Sequence, residues 1–231
     1  MLILGIETAT AQVGVAIGGE EGVLASAHSA RDRRHAESLA PQIEFVCSQA
    51  RIGLDEIGCV AVDVGPGLYT GLRVGLASAM ASAQGLGVPM IGVPSLDLVA
   101  YAVGHSRRDI VSCFDARRGE VFSARYRFGA SGMERTGEPQ VSTPEELAAE
   151  LSTGAETLLV GDGVTRYGDV FEDIDNVRFA GEGLQYPSAR SLVEIARPIA
   201  EREEFVAPSE LKPLYLRLPD AEINWKTRDS A

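Results

Sequence analysis

Apolar residues open the chain in three short runs, residues 2–6, 13–17 and 23–29. The first two are continuous and read as buried strands; the third alternates in part. Gly18-Gly19-Glu20-Glu21-Gly22 is turn chemistry between the second and third. Three strands on short turns predict a meander. A basic, polar loop follows at residues 31–34. Leu39, Ile43, Val46, Cys47 and Ala50 then recur at the 3.6-residue period of an amphipathic helix. Pro41 lies inside that pattern, and a proline that lacks its N–H and crowds the preceding turn starts or kinks the helix there.

The grammar then becomes strand, helix, strand, helix. Residues 54–57 predict a short helical turn and 59–64 a strand. A glycine-rich loop at 65–71 leads to a helix over 72–84. A strand over 90–93 precedes a helix over 96–103, with Ser95 as its N-cap. A meander followed by right-handed crossovers predicts a mixed sheet covered by helices. The second half repeats this more loosely. Strands are expected at 110–115, 121–128 and 158–160. Helices are expected at 144–151, capped by Thr143, and at 188–202, with Pro198 as a possible break. A soft boundary near residue 105 divides an N-terminal lobe, 1–105, from a smaller C-terminal lobe, 106–218. The polar residues 219–231 read as a flexible tail.

Composition narrows the function classes. The net charge is −12 over 231 residues, the wrong sign for a protein whose main work is binding nucleic acid. Cys47, Cys59 and Cys113 are scattered in apolar runs without a C-x-x-C pair, so buried free thiols are expected rather than a disulfide framework or zinc site. No apolar run reaches membrane-spanning length, and the N-terminus lacks a basic signal-peptide region. A reduced, soluble, cytoplasmic protein is the expectation.

The sharpest motif is the loop at 65–71, where Gly65, Pro66, Gly67 and Thr70 stand between a strand and a helix. Such a loop can present backbone N–H groups to an anion. The P-loop spacing and its lysine are absent, so the favoured reading is a tight turn at Gly65 and Gly67 with Thr70 capping the helix. Gly71, Gly75, Ala79 and Ala83 follow at i, i+4 spacing. Small residues on one helix face permit close approach, either by the chain's own sheet or by a partner. His35 is followed one turn on by Leu39, so no metal-binding histidine pair forms, and a surface or capping role fits it better. Glu7, at the end of the first strand, could hold a metal-bound nucleotide or position water. No second carboxylate is evident beside it, which favours a solvated strand end. Asp115-Ala116-Arg117-Arg118-Gly119-Glu120 reads as a charged, solvated hairpin turn, with RNA phosphate or a partner's acid as the alternative contact. Asp162 between two glycines reads as turn chemistry.

Residues 65–77, Gly-Pro-Gly-Leu-Tyr-Thr-Gly-Leu-Arg-Val-Gly-Leu-Ala, resemble the signature loop and helix of the TsaB/YeaZ family. The opening Leu-Gly-Ile-Glu-Thr-Ala-Thr at 4–10, the stretch 35–41, Val-Pro-Ser-Leu-Asp at 93–97, the segment 115–121 and Pro-Leu-Tyr-Leu-Arg at 213–217 resemble further family segments in the expected order. The resemblance implies an α/β, actin-like ATPase (ribonuclease H-like) fold of two related lobes with mixed sheets. It implies a subunit without catalytic residues that pairs with the transferase TsaD, is joined by the ATPase TsaE, and takes part in threonylcarbamoyladenosine (t6A) modification of ANN-decoding tRNAs. Contact with tRNA would be indirect, and the isolated chain would pair with itself.

The pairing surface implied by the family uses the two helices at 39–51 and 72–84, so Leu39, Ile43, Val46, Gly71, Arg73, Gly75 and Ala79 are its candidate residues. No metal or cofactor is expected: the position of the second histidine of the TsaD pair is Leu39, and Glu7-Thr8-Ala9-Thr10 departs from the actin-like phosphate loop. An active nucleotide-dependent enzyme, a small-molecule kinase or ATPase, is the competing class. A metalloprotease would need a ligand set such as H-E-x-x-H, which the sequence lacks.

Overall fold

A computed structural model describes residues 1–30 and 35–217. The loop expected at 31–34 and the tail expected at 219–231 lie outside the described residues. Strands β1 (Leu2–Glu7), β2 (Val13–Gly19) and β3 (Gly22–Ser29) form the expected antiparallel meander. Helix α1 (His35–Ala50) and a short 3-10 turn (Leu54–Glu56) lead to β4 (Ile57–Asp63). Then come α2 (Tyr69–Leu86), β5 (Met90–Val93) and α3 (Ser95–Ala102). β4 and β5 add to β1 in parallel, giving the order β3-β2-β1-β4-β5.

The second half uses the same plan. β6 (Asp109–Arg117), β7 (Glu120–Gly129) and β8 (Gly132–Arg135) form an antiparallel meander. β9 (Gln140–Ser142) adds to β7. Helix α4 (Pro144–Ser152) precedes β10 (Thr157–Val160), and α5 (Asp162–Phe171) precedes β11 (Val177–Phe179). The order is β11-β10-β6-β7-β8, so β10 and β11 join β6 in parallel as β4 and β5 join β1. The topology is one unit used twice, the arrangement of an actin-like fold.

Each sheet is covered on both faces, which is why its parallel strands are apolar almost throughout. On the first sheet, Leu4, Ile6, Val15, Ile17, Val60 and Val62 pack under α1 and α2. Ile3, Ala16, Cys59, Ala61 and Ile91 point the other way. They meet α6 (Ala189–Glu201) through Leu192, Val193 and Ala196. α6 thus returns from the second half of the chain to the first sheet, and Leu211 and Leu214 also pack there. α3 serves both sheets: Leu98 faces the first, while Leu96, Val99 and Val103 face Ile110, Phe114 and Tyr126 of the second. α4 and α5 cover the remaining face through Leu147, Leu151, Val164 and Phe171. Cys47, Cys59 and Cys113 are buried free thiols.

Several local expectations are corrected. α1 begins at His35, before Pro41, which sits inside the helix, as Pro198 does in α6. α2 begins at Tyr69 with Leu68 as N-cap, so Thr70 lies in the first turn and does not cap it. Pro94 occupies the N-cap of α3, and the hydroxyl of Ser95 is engaged elsewhere. Asp162 opens α5 rather than ending in a turn. The capping assignment at Thr143 holds: its Oγ1 accepts from the Glu146 N–H at 3.1 Å, and Glu146 returns a bond to the Thr143 N–H at 2.9 Å.

Candidate functional site

The carboxyl ends of β1 and β4 are the place where an actin-like unit offers side chains to a ligand. The parallel register sets Ile6 beside Val62, so the next residues, Glu7 and Asp63, come together. Both are buried, Glu7 completely and Asp63 to within 2%. Sequence distance had concealed the pair, and Glu7 is not a solvated strand end. The Ala9 N–H donates to Glu7 Oε1 at 2.8 Å. Asp63 Oδ1 accepts from the Gly65 N–H at 2.8 Å and from Ser95 Oγ at 2.5 Å. Glu7 Oε2 and Asp63 Oδ2 have no hydrogen-bond partner among the described residues. Burial raises both acids; the Asp63 charge raises Glu7 further, well above the ordinary carboxylate range. Asp63 stands at about 7, with the hydrogen bonds from Ser95 and Gly65 opposing its burial and the Asp97 charge adding to it. Two carboxylates in a dry site cannot both ionise cheaply, so the pair retains a proton near neutrality.

The first turn of α2 closes over this end of the sheet. Thr8 Oγ1 donates to the Gly71 carbonyl at 2.8 Å. A Cβ at Gly71 would meet the Thr8 carbonyl, one at Gly75 the Thr8 hydroxyl, and one at Gly67 the Ala9 backbone. Gly65 has φ of +99°, which only glycine adopts easily. Pro66 is buried beside it. Glycine here is therefore a packing requirement of the chain itself. His35 is buried, and its Nε2 lies 2.8 Å from the Thr10 carbonyl. A carbonyl only accepts, so this nitrogen carries the proton, and the histidine pins α1 to the β1–β2 loop instead of lying on the surface.

The candidate interface residues separate by exposure. Leu39, Val46, Gly71, Gly75 and Ala79 are buried against the first sheet or its loops, Ile43 is half-buried, and Arg73 is exposed. On the outer faces, Phe45 of α1 is 52% exposed and Tyr69 of α2 is 40% exposed. The periodicity located the helices but not the side each residue faces.

In the second unit, Asp115 lies near the end of β6 and Asp162 starts α5, near the positions of Glu7 and Asp63. The Asp115 N–H donates to Asp162 Oδ1 at 3.0 Å. Asp115 Oδ2 lies 3.0 Å from Arg117 Nη1 and 3.4 Å from Arg166 Nε, and Tyr167 OH donates to Oδ1 at 3.1 Å. Burial lifts Asp162 to about 6; the hydrogen bond from the Asp115 N–H opposes it most, the Asp115 charge adds to it, and Arg117 and Arg166 pull it back further. Arg117 and Arg118 occupy the left-handed region, at φ 66° and 58°. The 115–120 turn is thus braced from within rather than merely solvated. Among the described residues no group of three or more His, Cys, Asp or Glu side chains is placed to hold a metal ion.

The model for the family "TsaD: tRNA N6-adenosine threonylcarbamoyltransferase" matches residues 23–225. The chain is 29% identical to the tRNA threonylcarbamoyladenosine biosynthesis protein TsaB of Escherichia coli K12, over 98% of this chain and 97% of that one. The chain belongs to this family, on its TsaB/YeaZ branch. It is also 34% identical to uncharacterized protein ML0378 of Mycobacterium leprae, over 96% of this chain, and spans 56% of the length of that relative. The structure of YeaZ from Pseudomonas aeruginosa superposes with a TM-score of 0.81 at 24% identity, covering 93% of this chain and 99% of that one. The TsaB/YeaZ match spans both repeats, and the fold is the actin-like one that the sequence resemblance implied. No helix among the described residues is long and apolar enough to cross a membrane.

Proposed function

We propose that the chain is a non-catalytic partner subunit in tRNA t6A biosynthesis, which binds and supports a TsaD-type transferase through the outer faces of α1 and α2. The observation that carries this reading is the pair of helices itself. Their inner faces are consumed by the first sheet, while Phe45, Tyr69 and Arg73 stand on the outside. Exposed aromatic and arginine side chains on a helix pair are the composition of interface hot spots. Leu39, Ile43, Val46, Gly71, Gly75 and Ala79 support this face from beneath by setting how closely the helices sit on the sheet. The burial of the acids supports a role without catalysis. Glu7 and Asp63 are buried from solvent, whereas a general acid or base must come within hydrogen-bond reach of a reacting group.

In this reading the lobe of residues 1–105 carries the partner surface and residues 106–218 form the smaller lobe, although α6 packs on the first sheet. TsaE joins the pair, tRNA is met only through the complex, the chain alone self-associates through the same face, and the work is done in the cytoplasm. Light scattering of the chain mixed with its cognate TsaD tests the proposal. A one-to-one complex is expected, and Phe45→Glu should weaken it at least about tenfold without lowering the melting temperature. Failure to form a complex, combined with saturable ATP binding by the chain alone, would replace this reading with that of a nucleotide-dependent enzyme.

A further inference from the structure

At the start of α2 three exposed side chains form one rigid cluster. The Arg73 guanidinium carbon sits 4.1 Å from the centre of the Tyr69 ring. Tyr69 and Tyr215 stack with ring centres 5.6 Å apart and planes at 29°, and Arg73 Nε donates to Tyr215 OH at 3.2 Å. Tyr69 and Tyr215 are each about two-fifths exposed, at 40% and 39%. Helical side chains lean toward the N-terminus, which brings Arg73 back over Tyr69 one turn earlier. The 211–217 segment is held in register by the Leu214 N–H, which donates to the Val64 carbonyl at 2.7 Å, so Tyr215 reaches the cluster from a fixed backbone.

The charge of this cluster is unusual for the chain. Acidic residues outnumber basic ones 33 to 21, and several other arginines sit on carboxylates, as Arg127 does on Asp109 and Arg202 on Glu204. Around Arg73, the groups that bear on its charge are the two tyrosines, and no carboxylate of the described chain is among them. Its guanidinium is stacked and oriented through Nε, on a residue that is exposed to solvent. An arginine fixed in this way has already lost much of the side-chain freedom that binding would otherwise cost, and its fork matches a carboxylate in two-point geometry.

We infer that Tyr69, Arg73 and Tyr215 form the energetic centre of the partner surface, where Arg73 receives a carboxylate side chain of the partner protein and the tyrosine rings cover the pair. This deepens the partner-subunit reading and rests on it. The acidic excess of the chain argues for a protein carboxylate over an RNA phosphate as the occupant, because a nucleic acid would approach against the net charge of the whole molecule.

The test measures affinity for cognate TsaD by calorimetry at low and high salt, with Arg73→Ala, Arg73→Lys and Tyr215→Phe beside the wild type. Both positions are solvent-facing, and unchanged melting temperatures confirm intact folds. Arg73→Ala should weaken the complex at least about tenfold and flatten its salt dependence. Arg73→Lys should fail to restore binding, since lysine lacks the planar fork. Tyr215→Phe should cost a smaller factor, about threefold, by freeing the guanidinium. Wild-type binding with Arg73→Ala equally tight overturns this inference and leaves the partner reading standing. No wild-type complex overturns both. Loss of tRNA affinity by Arg73→Ala, with the protein complex unaffected, overturns the carboxylate assignment in favour of phosphate.

Discussion

The two repeats put an acid pair at nearly the same topological point and treat it in opposite ways. In the first, Glu7 and Asp63 are buried, and one oxygen of each has no hydrogen-bond partner among the described residues. In the second, Asp115 and Asp162 sit beside Arg117, Arg166 and Tyr167. The difference lies in what covers the strand ends. α2 lies so close that Gly71 and Gly75 touch Thr8, and no long cationic side chain fits between. α5 starts with Asp162 itself, and its turn carries Arg166 back over Asp115. Topology therefore fixes where charges meet, and the covering helix decides whether they are neutralised by a proton or by a counter-ion.

The sharpest way to break the comparison is to force α2 off the first sheet. Gly75→Glu places a charged side chain where the Thr8 hydroxyl already sits. It should cost more than about 4 kcal/mol and give little folded protein. Gly75→Ala should fold but lose about 1–3 kcal/mol from overpacking, read as a fall in denaturation midpoint. A stable Gly75→Glu variant would mean that α2 does not seal the Glu7–Asp63 pair.

The next effect is pH dependence. An acid raised on folding binds its proton more tightly in the native state, so its contribution is fully present below the unfolded value, about 4, and is lost as pH rises through the folded value. For Asp63 the loss spans about pH 4 to about 7, and Glu7 titrates in the same sense. Each unit of displacement is worth about 1.4 kcal/mol, so the first repeat should destabilise the fold by a few kcal/mol between pH 5 and pH 8. Asp63→Asn keeps an acceptor for Gly65 and Ser95 and removes the charge. The variant should gain stability on the wild type at pH 8 and little at pH 5. Equal stability of the wild type at both pH values would show the pair is not protonated.

β8, β9 and β11 went unread, but the first meander, the β6–β7 hairpin and the parallel strands β4, β5 and β10 were legible from their short apolar runs and the turns between them, and the resemblance extended that to the whole fold. Helix α5 was not. Gly161-Asp162-Gly163 carries turn signals, Gly168 and Asp169 interrupt the apolar pattern, and the helix bends at Tyr167, where φ is −120°. The acid pair was hidden for a different reason: 56 positions separate Glu7 from Asp63, and strand register is a tertiary fact that period-2 patterning does not encode. The small-residue stripe at Gly71 and Gly75 was legible as a close contact, but spacing alone is blind to which body makes that contact. His35 was misplaced on the surface because its role depends on the Thr10 carbonyl brought to it by the fold.

The smallest effect probes the second repeat. Arg166 is 55% exposed on its side chain and lies over the Tyr167 ring with its charged carbon 5.6 Å from the centre. Solvent screens such a cation, so Arg166→Ala should leave the melting temperature nearly unchanged. Its signature is elsewhere. Asp162 stands at about 6 because burial outweighs the Asp115 N–H hydrogen bond and the pull of Arg117 and Arg166, and loss of one arginine should move it higher. The stability that Asp162 loses as pH rises would then be lost over a window extending above pH 6. Carboxyl-carbon NMR titration of Asp162 reads this directly. An unmoved titration in Arg166→Ala would mean that Arg117 alone compensates the pair. The contrast between the repeats would then rest on one hairpin residue held at φ 66° and not on the helix that covers the strand ends.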